Sequence, residues 1–74
     1  MSVHRVAIRY LADDDRHALA LYAELDTGQF NELATAHQRG GAGRVEVPAR
    51  LDPDQAPAAW SLEAERILDV EPRD

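Results

Sequence analysis

The 74-residue chain has no cysteine and no lysine, and its only aromatic residues are Tyr10, Tyr22, Phe30 and Trp60. Without cysteine there is no disulfide framework, no thiolate nucleophile, no zinc-thiolate site and no iron-sulfur cluster. All eight basic residues are arginine, so no side-chain amine is present for Schiff-base chemistry. Long apolar runs are also missing. The segment from Val3 to Leu11 is broken by Arg9 and followed by Asp13-Asp14-Asp15, too short and too charged for a signal peptide or a membrane span. A cytoplasmic location with no membrane partner is the resulting expectation.

Basic clusters are lacking as well. The net charge is −6, and it is concentrated in residues 51–74, where seven acidic residues outnumber Arg66 and Arg73. Such a field repels a phosphate backbone, so nucleic acid is disfavoured as a direct partner. It suits a basic protein surface better.

Apolar residues make up 45% of the chain, but 13 of them are alanine and one is Met1. A chain this small buries only about three fifths of its unfolded surface. The core is therefore thin, and stability is marginal or shared with a partner. One domain is expected over residues 1–71, with 72–74 as a frayed tail.

Alternation places Val6, Ile8 and Tyr10 on one face of a strand and Arg5, Ala7 and Arg9 on the other. The aspartate triplet is a solvated turn or the N-cap of a helix starting near Arg16. Ala18–Leu25 fits both periods. A strand is preferred because it gives the first strand an immediate hairpin partner, although alanine and leucine favour a helix.

Asp26 followed by Gln29 reads as a capping box, with Thr27 as a rival cap, and Phe30, Leu33, Ala34 and His37 fall on one helical face. This helix of about eleven residues ends at Gly40-Gly41. Arg44-Val45-Glu46-Val47 alternates as a strand. Pro48 removes a donor, so that strand is an edge strand or stops there. The final segment is again two-sided. Pro57 at the first position of a helix would stripe Trp60, Ala64, Ile67 and Leu68, whereas extended structure over Leu62 to Val70 supplies the neighbour that Val45 and Val47 need.

The expected architecture is α+β, a small antiparallel sheet of three to four strands with one helix packed on it, in the order β-β-α-β-β. The alternatives are β-α-α-β-α and β-β-α-β-α. The expected core is Val6, Ile8, Leu19, Leu21, Leu25, Phe30, Leu33, Val45, Val47 and Ile67.

Candidate chemistry is sparse. His4, His17 and His37 lack metal-ligand spacing, and only a hairpin centred on the aspartates would bring His4 to His17. The triplet lacks the alternation and glycine of a calcium loop. Gly40-Gly41-Ala42-Gly43-Arg44 follows a helix and precedes a strand, the reverse of phosphate-binding order. The pairs Glu63 with Glu65 and Asp52 with Asp54 are read as solvated carboxylates. No catalytic residue, cofactor or metal is expected.

Tyr22 and Trp60 are the candidate interface residues, since a thin core leaves apolar faces to share and tryptophan is enriched at binding hot spots. The favoured reading is a non-enzymatic protein-interaction or accessory module, a homodimer or a subunit whose acidic C-terminal third meets a protein partner. The alternative is a small dimeric DNA-linked regulator or antitoxin-like protein using Arg5 and Arg9 on an exposed strand face.

Overall fold

The computed structural model describes residues 2–73. The fold is α+β with five strands in two antiparallel sheets and one helix. β1 spans His4–Leu11, β2 Ala18–Leu25, α1 Thr27–Arg39, β3 Arg44–Ala49, β4 Ala58–Glu63 and β5 Ile67–Pro72, with a 3₁₀ turn at Ala64–Arg66 between the last two strands. The first sheet runs β2-β1-β5 and the second is the β3-β4 hairpin.

The two ambiguous segments are both extended. In β2, the helix propensity of alanine and leucine yields to pairing with β1 along its whole length, from His4 opposite Leu25 to Leu11 opposite Ala18. The connecting loop fixes that register. Asp14 Oδ1 accepts from the backbone N–H groups of Arg16 at 2.9 Å and His17 at 3.0 Å, and Asp15 takes a left-handed φ of 58°. The aspartate triplet is thus a turn closed by its own side chain.

The expected single strand over Leu62 to Val70 divides in two. β4 starts earlier, at Ala58, and pairs with β3, while β5 pairs with β1. The turn between them lets one run of chain serve two sheets, which is why five strands appear where three to four were expected. β5 also continues past the expected domain end. Pro72 lies opposite Val6 at the end of β5, and beyond it the Arg73 N–H donates to Arg5 O at 2.7 Å. Position 74 lies outside the described residues.

α1 begins at the expected capping box. Asp26 Oδ1 accepts from Gln29 N at 2.7 Å, and Gln29 Oε1 accepts from Asp26 N at 3.0 Å. The helix runs 13 residues and stops at Gly40, whose φ of 64° suits glycine. Leu33 is its one fully buried residue, and Phe30 and Ala36 pack beside it.

Val6, Ile8, Leu21, Leu25, Leu33, Val45, Val47 and Ile67 lie in the core as expected. Leu19 and Phe30 are only half-buried. Tyr10, Ala23, Ala49, Leu62 and Ala64 complete the buried set.

Pro48 explains why there are two sheets instead of one. Tyr22 and Arg50 exchange a pair of backbone hydrogen bonds, 2.8 and 3.0 Å, bridging β2 to the end of β3. Antiparallel alternation would make Glu24 and position 48 the next bonded pair. Proline has no N–H to give there, so the ladder ends after one bridge.

Candidate functional site

The three-stranded sheet turns Arg5, Ala7 and Arg9 of β1 outward, with Tyr22 and Glu24 of β2 on the same face. Arg5 Nε lies 4.0 Å from Glu24 Oε2, and Arg9 is paired in register with Asp69. Arg50 also reaches Glu24, at 3.2 Å. Arg5 and Arg9 therefore share a face, as expected, but a face interleaved with Glu24, Asp69 and Glu71. Its charges are mixed.

Tyr22 is half-buried on that face, and the Arg73 guanidinium lies 4.5 Å from its ring centroid, a cation-π arrangement. Tyr22 also lines a cleft of about 190 Å³ with Glu24, Pro48, Arg50 and Pro57. No local feature of the sequence signals that Arg73 meets Tyr22. That contact depends on β5 pairing through to residue 73.

Trp60 occupies a different place. It is opposite Val47 in the hairpin, packs against the core on one side and is half-buried. Tyr22 is on the outward face of β2, whereas Trp60 is on the core-facing side of β4. They do not form one patch.

A concavity of about 810 Å³ lies between α1 and the hairpin, with Asn31, Thr35, Arg39, Arg44, Glu46 and Ser61 among its lining. It is wide open to solvent and mixed in charge. The glycine-rich turn stands at the C-terminal end of α1, where the helix dipole is negative and repels anions. One donor and one acceptor of the turn are used within the fold: Gly40 N–H donates to Ala36 O at 2.9 Å and Gly43 O accepts from Ala64 N at 2.8 Å.

The three histidines are used separately. The hairpin centred on the aspartates does form, but its register places His4 opposite Leu25 at the end far from His17. The hairpin thus keeps His4 and His17 apart. His4 stacks on Phe30 with ring centroids 4.5 Å apart and its Nε2 lies 3.3 Å from Thr27 Oγ1. His17 is hydrogen-bonded to Asp14, and that bond, with the backbone N–H groups of Arg16 and His17, holds the Asp14 carboxyl below its ordinary range. His37 Nδ1 is buried without a partner. Among the described residues no cluster of three metal-binding side chains occurs.

The acidic residues of the C-terminal third are partly engaged. Arg66 binds Glu63 at 2.9 Å, Asp15 at 2.8 Å and the Ala12 carbonyl at 2.9 Å, fastening the β1-β2 loop to the 3₁₀ turn. Partial burial works against the Arg66 charge, yet these carboxylates hold its pKa above the ordinary value. Glu63 additionally meets Arg44 at 3.6 Å.

No helix among the described residues is long and apolar enough to cross a membrane. In comparisons with known proteins, the chain matches no family model, no curated protein and no solved structure.

Proposed function

We propose that this protein is a non-enzymatic interaction module that associates with itself, with Trp60 at the contact. The observation that supports the reading is the position of Trp60. One side of the ring packs on the core, while the residue keeps solvent exposure on a strand with no charged side chain from Gln55 to Leu62. A large half-covered indole on an uncharged stretch of strand is an efficient binding anchor, because its immediate strand neighbours carry no charge to desolvate.

Tyr22 is a secondary contact. Its ring is already shared with Arg73, so a partner gains less there. The acids Asp52 and Asp54, in the loop before β4, remain on the exposed surface and suit a basic protein partner. The mixed charge around Arg5 and Arg9 favours a protein surface over a phosphate backbone.

Trp60 is the sole tryptophan, so its fluorescence reports this one position. Acrylamide quenching should fall as protein concentration rises from micromolar to millimolar. Quenching that is unchanged over that range contradicts the reading.

A further inference from the structure

The ladder geometry shows which strand edge is open. Ala64 N donates to Gly43 O at 2.8 Å, so alternation makes Val45 with Leu62 and Val47 with Trp60 the bonded pairs of the hairpin. The N–H and C=O groups of Ala59, Ser61 and Glu63 then point away from β3. Among the described residues, the Glu63 N–H is the one of these with a protein partner, the Tyr10 hydroxyl at 2.9 Å. Ala59 and Ser61 are exposed.

The other edges are blocked or charged along much of their length. On β5, the outward Val70 N–H is taken by Asp69 Oδ1 at 3.0 Å, and Pro72 has no N–H. On β3, Pro48 offers no donor and Arg44 and Glu46 carry charge. On β2, Arg50 occupies Tyr22, and the outward positions Ala18 and Ala20 adjoin the charged Asp13–Arg16 loop. Proteins protect edges with such devices, and β4 has none between Ala58 and Leu62.

The geometry points to β4 as the strand through which two copies of this chain pair, antiparallel and centred on Trp60. This rests on the self-association proposed above and assigns it a surface. In that arrangement Ala59 faces Ser61 of the second copy, and Ser61 faces its Ala59, each pair exchanging two backbone hydrogen bonds. Trp60 meets Trp60 of the second copy at the close, non-bonded position, and Ala58 meets Leu62. No charge opposes its like across the two-fold axis. A symmetric pairing of β5 would instead align acidic Asp69 and Glu71. The pairing also has natural limits, since Pro57 lacks a donor and the Glu63 N–H is already held.

Hydrogen exchange of the full chain at several concentrations tests this. Where nine tenths of chains are dimeric, the Ala59 and Ser61 amides should exchange about tenfold more slowly than in dilute protein. Ser61→Pro removes one outward donor at the kind of position where β3 already holds Pro48, and should weaken dimerisation at least about tenfold with circular dichroism unchanged. A dimer in which neither amide slows overturns this edge while leaving self-association intact. A chain that stays monomeric overturns both. If Ser61→Pro does not fold, the exchange of the unmodified chain still decides.

Discussion

The Tyr10 hydroxyl accepts the Glu63 backbone N–H at 2.9 Å, tying the central strand of one sheet to the edge of the other. Tyr10 is buried and Glu63 half-buried, so the bond is partly shielded from water. Tyr10→Phe keeps the ring and removes the acceptor, and should cost about 1–2 kcal/mol in urea unfolding. The Glu63 amide should also exchange faster than in the unmodified protein. An unchanged midpoint would show that water substitutes at no cost.

Leu33 is the helix's single fully buried side chain. Leu33→Ala should cost about 2–5 kcal/mol. In a chain of this size that is a large part of total stability. Thermal denaturation should show a broad, low transition or none, and a sharp transition near the original midpoint would mean α1 is not what closes the core.

Asp26→Ala removes the acceptor for Gln29 N and should cost about 1 kcal/mol of unfolding free energy. Asp26→Asn should recover most of it. Equal losses in both variants would assign the effect to charge and not to the cap.

Asp14 has its carboxyl held below the ordinary value of 3.8, chiefly by the His17 side chain and then by the Arg16 and His17 amides. A carboxyl lowered in the folded state adds stability above its unfolded pKa and loses it as pH falls through the folded value. The contribution is therefore fully present at neutral pH, begins to fall near the ordinary value of 3.8 and is gone only below the lower folded value. His17→Ala should raise the Asp14 pKa toward the ordinary value in a carbon-detected titration. An unmoved titration would show that the backbone donors alone set it.

Much of this fold was legible in the residues. β1 declared itself by strict alternation, α1 by the Asp26 and Gln29 box and its glycine stop. Ala18–Leu25 and Ala58–Glu71 were not decidable locally, because alanine and leucine suit a helix and only pairing with β1 and β3 makes them strands. The 3₁₀ turn at Ala64–Arg66 had no local signal. It is held by Arg66, whose partners Asp15 and Ala12 are distant in sequence.

Site residues followed the same division. That Tyr22 faces outward could be read from strand alternation, while its contact with Arg73 could not, since it needs the pairing of β5. Pro48 was readable as an edge residue. Its larger effect, ending the β2-β3 ladder at Arg50, required knowing that Tyr22 and Arg50 meet. The open edge at Ala59 and Ser61 likewise depends on which carbonyl receives the Ala64 amide.

The central claim is self-association, and the solution mass tests it most directly. Light scattering of the full chain across micromolar to millimolar concentration should show the mass rising from 8.2 kDa toward twice that value. A mass fixed at 8.2 kDa across the whole range would contradict it.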